Sequence, residues 1–154
     1  MKARAKEIEN LINNLKEHGQ TKLNPSESQL RELLGEDRDG PLQFVNLLRF
    51  HTTAGYPDDH ELATEKLSGE QAYGKYGAVA LKHVMKRGGT LVCLNTVEQT
   101  IIGPSKAWHQ VAIMQYPNTA AFIDMLLDPE YSAALIHRDA GLHQTEVLVT
   151  RPLL

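Results

Sequence analysis

The chain of 154 residues predicts an α+β domain, a four-stranded antiparallel sheet backed by two crossover helices, and three observations lead there. Four short apolar stretches, Leu42 to Phe50, Gly89 to Ile102, Trp108 to Tyr116 and Leu142 to Arg151, read as strands. Two amphipathic stretches, one after the first strand and one after the third, read as helices. The resulting order, strand, helix, strand, strand, helix, strand, is the split βαβ arrangement of a ferredoxin-like sandwich. Residues 1 to 40 form a helical extension ahead of this core, which runs from 41 to 154.

In the extension, Ile8, Leu11, Ile12 and Leu15 recur at i, i+3, i+4, i+7 and draw an apolar stripe on a helix ending near Gly19. A shorter helix follows, with Asn24 as its cap, Pro25 at its first position, Glu27 reaching back as a capping-box carboxylate, and Gly35 as its stop. The charged run 36–41 turns into the first strand.

In the core, a long polar loop from His51 to Ser68 separates the first strand from a helix over Glu70 to Arg87, whose inward face carries Tyr73, Tyr76, Gly77, Ala80 and Val84. Gly88 and Gly89 stop it, and two strands follow around the turn Gly103-Pro104-Ser105-Lys106. Pro117 to Thr119 starts the second crossover helix, which Asp128-Pro129 breaks or restarts and Gly141 ends.

The strands lack the clean alternation of a sheet with one wet face. Phe44 and Leu48 oppose Val45 and Leu47, and Val111 and Ile113 oppose Ala112 and Met114, so both faces are apolar. Two helices cover only one of them. About eight apolar side chains left wet, at roughly 1.5 to 3 kcal/mol each, would exceed the whole stability margin of a domain. The N-terminal helices offer one cover; a homodimer stacking two sheets face to face, closing an α/β barrel, needs no further sequence and is the favoured expectation.

Composition bounds the rest. A formal charge of -3, with 23% charged and 42% hydrophobic residues, gives no basic footprint for nucleic acid. No run approaches the roughly 18 apolar residues of a membrane span. The lone Cys93 lies in an apolar run and is expected to be a small buried hydrophobe in a reducing, cytoplasmic setting. The histidines show no metal-ligand spacing, no Gly-x-Ser-x-Gly elbow is present, and Tyr76 stands where a phosphate loop needs Ser or Thr, so neither metal nor cofactor is expected.

The segments Gly40 to Phe50, Ala72 to Gly77, Val97 to Pro104, Trp108, Tyr116-Pro117 and Asp128 to Tyr131 resemble domain-of-unknown-function family 1330, over most of 25 to 150. The resemblance implies the dimeric α/β-barrel superfamily and a subunit paired through its sheet; it implies no activity. Some haem-degrading members of that superfamily use an Asn, a Trp and a helix-borne His. Asn46, Trp108 and His137 supply the types, but His137 sits near a helix end beside Arg138, where a cation needs no ligand.

Candidate site residues follow from polarity in apolar surroundings. Asn46 and Arg49 interrupt the first strand, on opposite faces unless a bulge intervenes, and Glu98 is an ion-pair partner for Arg49. Tyr73 and Tyr76 lie one turn apart facing the sheet, and Trp108 and His109 open the third strand. Asn46, Arg49, Tyr73, Tyr76, Glu98, Trp108 and His109 are therefore the expected ligand-binding set, with His109 and Asn46 as catalytic candidates. The expected function is binding of a small, mostly apolar molecule between sheet and helices. The alternative is a cofactor-independent oxygenase or isomerase, with His109 as base and Asn46 or Arg49 steadying an enolate-like anion.

Overall fold

The computed structural model describes residues 2–17, 22–35, 40–105 and 107–154. The chain runs α1 (Lys2–Glu17), α2 (Glu27–Gly35), β1 (Leu42–Phe50), α3 (Gly69–Lys86), β2 (Thr90–Thr96), β3 (Gln110–Tyr116), α4 (Thr119–Leu126), α5 (Pro129–Gly141) and β4 (Leu142–Thr150). The sheet is antiparallel in the order β2-β3-β1-β4. This is the ferredoxin-like α+β arrangement that the sequence predicts. Among the described residues no helix is long and apolar enough to cross a membrane.

Side-chain alternation along β1 and β3 sorts the sheet. Leu42, Phe44 and Leu48 of β1 face the helices with Ala112 and Tyr116 of β3, and all are buried. The Phe44 ring meets Tyr116 edge-on at 5.1 Å and Phe122 at 4.4 Å, the centre of the core. Val45 and Leu47 pair in register with Ile113 and Val111 on the other face, where all four stay half-buried. Leu148, opposite Val45, joins them at 52% exposure.

The N-terminal helices do not cover that open face. Leu11 of α1 and Leu34 of α2 pack with Ile123 of α4, on the helix side of the molecule. Their mutual fixing is electrostatic as well: Arg31 reaches Glu9 at 2.9 Å and Glu27 at 2.8 Å.

Several local expectations are corrected. Asn24 does not cap α2. Ser26 does, its hydroxyl accepting from Gln29 N–H at 3.2 Å while Gln29 Oε1 accepts from Ser26 N–H at 2.9 Å, a reciprocal box that Asn24-Pro25 cannot form. Glu27 is accordingly free to pair with Arg31. The stop expected near Gly19 lies outside the described residues. The second strand ends at Thr96, not Ile102, and Ile101 and Ile102 stand exposed in an irregular segment. β3 begins at Gln110, two residues after Trp108. Cys93 is half-buried on the open face, because a bulge after Leu91 makes Val92 the extra residue and turns Cys93 opposite Ile113.

The crossovers are held by side-chain caps. Ser68 and Gln71 form a capping box at α3. Asn118 accepts from Ala121 N–H at α4, and Asp128 with Pro129 at N1 restarts the chain as α5. α3 and α5 touch closely where glycine is required: a Cβ on Gly141 would lie 2.5 Å from Gly69 O and 2.7 Å from Tyr73 N. The His51–Ser68 loop is pinned by backbone bonds from Ala54 to Leu67, from Gly55 to Ala140 and from His51 to Gly141.

Candidate functional site

On the helix face the sequence-derived candidates fall into a partial group. Asn46, half-buried on β1, donates through Nδ2 to Phe44 O at 3.0 Å and Ala112 O at 3.1 Å, satisfying carbonyls of the sheet. His109 lies beside the end of β1, where its Nδ1 accepts from Phe50 N–H at 3.0 Å. In the neutral ring that leaves the proton on Nε2, so the exposed edge of His109 is a donor. The Phe50 ring bridges the group, stacked on His109 at 5.8 Å and tilted against Tyr73 at 5.3 Å.

Two candidates stand apart. Arg49 projects from the open face, as alternation requires, and Glu98 is exposed in the segment after β2. No ion pair joins them among the described residues. Trp108 is half-buried just before β3.

The second group is deeper and was only half visible in the sequence. Tyr73 and Tyr76 of α3 have ring centres 5.3 Å apart, and Tyr76 shares a 2.8 Å hydroxyl contact with Tyr131 of α5. Tyr116 of β3 lies in the same buried layer, its hydroxyl donating to Met125 Sδ at 3.8 Å. Burial pushes all four phenols up, most strongly at Tyr73, Tyr116 and Tyr131, so each keeps its proton. The charge of Arg138 acts in the opposite sense on Tyr73, Tyr76 and Tyr131. The layer is thus a set of neutral hydrogen-bond donors with one buried cation beside it. No hydrogen bond of the Tyr73 hydroxyl occurs among the described residues.

Tyr116, Tyr131, Arg138 and Asn24 are the residues sequence reasoning missed. The aromatic ones sat at core positions where burial alone explained them. Arg138 and Asn24 meet across 114 positions, Nη2 to Oδ1 at 2.5 Å, a pairing no local spacing encodes.

Two other clusters hold titratable groups. His83, buried on α3, donates Nε2–H to Glu130 at 3.0 Å while its Nδ1 accepts from Arg87 Nη1 at 3.0 Å; Arg87 also reaches Asp128 at 3.0 Å and Asp124 at 2.6 Å. Donor atoms of His83, Asp128 and Glu130 lie within 4.8 Å of one another, a spacing compatible with a metal ion. Arg87 and, at 2.7 Å from Glu130, Lys82 already supply the positive charge there, so the cluster clamps α3 to α5. The Arg87 hydrogen bond holds the Asp128 carboxyl below its ordinary range.

The other cluster ties the long loop to α5. Tyr56 bonds His137 Nδ1 at 2.8 Å and stacks on His60 with ring centres 4.7 Å apart. Burial, then the charge of His60, pushes the His137 imidazole down. His137 therefore serves the loop, its Nδ1 taken by Tyr56, while Asn46 bonds carbonyls of the sheet.

A family model described as a domain of unknown function, DUF1330, matches residues 61–152. The crystal structure of the RPA0582 protein of unknown function from Rhodopseudomonas palustris is 31% identical, covering 86% of this chain and 97% of that one, with a TM-score of 0.77. A methylated form of RPA0582 gives 32% identity over 86% and 95%, with a TM-score of 0.78. A more distant likeness is to SnoaB, a cofactor-independent oxygenase from Streptomyces nogalater, at 16% identity over 75% and 95% with a TM-score of 0.45, too low to carry an argument. No curated protein matches. The family match begins later than the resemblance read from the sequence, leaving β1 and the N-terminal helices outside it. With more than half of its length matched and a relative above 30% identity, the chain belongs to the DUF1330 family.

Proposed function

We propose that the protein is a homodimer, joined through the open face of its sheet, in which each subunit binds a small, mostly apolar molecule between sheet and helices. The molecule carries an oxygen that accepts hydrogen bonds from the Tyr73 hydroxyl and its neighbours. One observation carries the binding reading: Tyr73, Tyr76 and Tyr131 stand ring against ring beside the charge of Arg138, and the Tyr73 hydroxyl, not sealed from solvent, makes no hydrogen bond among the described residues. The chemistry favours binding over proton abstraction. The phenols hold their protons, and His109 commits Nδ1 to Phe50 N–H, so both supply donors where an isomerase or oxygenase would need a base.

A crystal structure of the protein purified without added ligand tests this. Electron density for a bound organic molecule within hydrogen-bonding distance of Tyr73 Oη supports the reading. A well-ordered crystal in which protein side chains fill that space contradicts it.

A further inference from the structure

Arg138 has only about 12% of its side chain exposed, yet its guanidinium is incompletely used. Nε donates to Asp139 Oδ1 at 2.9 Å, Nη2 stands 2.8 Å from the same oxygen as an ion-pair contact, and Nη2 donates to Asn24 Oδ1. Nη1 has no hydrogen-bond partner among the described residues. Nη1 is not sealed off, since among the described residues the buried side-chain polar atom without a partner is Thr119 Oγ1; it faces space that an acceptor can enter, and the planar fork of a guanidinium suits a carboxylate.

The space at this guanidinium is a cavity of about 40 Å³, walled by Leu11, Asn14, Tyr131 and Leu135. It shares Leu15, Asn24 and Pro25 with a groove of about 300 Å³ between α1 and α2. That volume is at the lower end of small-molecule sites, roughly 300 to 1,000 Å³. Ile12 and Leu30 add apolar wall, while Lys16 and Lys22 bring ammonium groups. Glu27, the acidic group of the groove, is already paired with Arg31 at 2.8 Å and Lys16 at 3.5 Å, and Lys22 has no ion pair among the described residues. The groove therefore has an apolar wall of Ile12, Leu15, Pro25 and Leu30, with the Lys16 charge offset by Glu27 and the positive charge of Lys22 left over, and it adjoins the Arg138 cavity.

We infer that the groove under the N-terminal helices takes an amphiphilic organic acid, its apolar body between α1 and α2 and its carboxylate against Arg138 Nη1. This rests on the reading of the tyrosine and Arg138 layer as a ligand site, and adds the acidic class of the ligand and its path. Asn24 yields its place on Arg138 as the carboxylate arrives.

Isothermal titration of the full chain with decanoate and with 1-decanol tests it. The expected result is binding of decanoate at least tenfold tighter than of decanol, weakened at least tenfold by Arg138→Gln. Leu15→Trp blocks the junction of groove and cavity while keeping the Arg138 side chain, and should abolish decanoate binding; it decides the matter if the Arg138 variant does not fold. Equal binding of the alcohol, no binding of decanoate, or undiminished binding to the folded Leu15→Trp protein overturns the inference. Tyr73→Phe separates the two proposals. Decanoate binding lost in Leu15→Trp and unchanged in Tyr73→Phe keeps the groove and retires Tyr73 as a ligand group. Density at Tyr73 in a protein that does not bind decanoate keeps the site and retires the acid.

Discussion

The two faces of the sheet are built from the same kinds of side chain and end in different environments. On one, Phe44, Leu48 and Tyr116 are sealed under α3, α4 and α5 to between 1% and 6% exposure. On the other, Val45, Leu47, Val111 and Ile113 stop half-buried and Leu148 remains 52% exposed, with no element of the described chain above them. Strand composition does not decide which face is closed; the supply of helices does. The crossovers go to one side, and the extension that could have gone to the other packs on α4 instead. Because the open-face residues already shield one another, completing their burial is worth on the order of a few kcal/mol, less than eight fully wet side chains would suggest. That is enough to favour association and too little to prevent a subunit from folding.

The contrast can be broken from either side. Phe44→Ala empties the helix-face core and should cost about 3 to 5 kcal/mol in urea unfolding, whereas the same truncation of Leu47 should cost far less per subunit. Leu47→Asp sharpens the distinction. A carboxylate at the centre of the open face should leave the circular dichroism of the fold unchanged and weaken self-association by several kcal/mol, read by light scattering over a concentration series. Ser68→Ala, which removes the α3 cap on the helix side and touches nothing on the open face, should lower stability by about 1 kcal/mol and leave the mass unchanged.

The smallest effect expected is in pH. His51 is pushed down by burial and then by His143, and His137 by burial and then by His60. A histidine with a lowered folded value is protonated more readily when unfolded, so its contribution is present above the unfolded value of about 6.5 and is lost as pH falls through it toward the folded value. Thermal unfolding between pH 7.5 and 5.5 should show a falling midpoint. His137→Gln should flatten part of that slope, and Leu47→Asp should not.

How far the sequence could be read follows the range of the interactions. Parity along β1 was legible because alternation is strictly local, and it put Asn46 and Arg49 on opposite faces as observed. The break at Asp128-Pro129 was legible for the same reason. The α2 cap was misplaced because Asn24-Pro25 and Ser26-x-x-Gln29 are both good local signals; the reciprocal bond won, and Asn24 was taken by Arg138 far along the chain. The bulge at Val92 leaves no mark in composition, so the pairing of β2 could not be read. In the site, Tyr73 and Tyr76 were found from helical spacing, while Tyr131 and Arg138 come from a different crossover and meet them only after α3 docks on α5.

Sedimentation equilibrium at micromolar concentration tests the central claim, that a second copy covers the open face. The mass should be twice that of one chain, falling to a single chain in Leu47→Asp. A well-folded protein that sediments as one chain across that range, with Val45, Leu47, Ile113 and Leu148 still facing water, would contradict it.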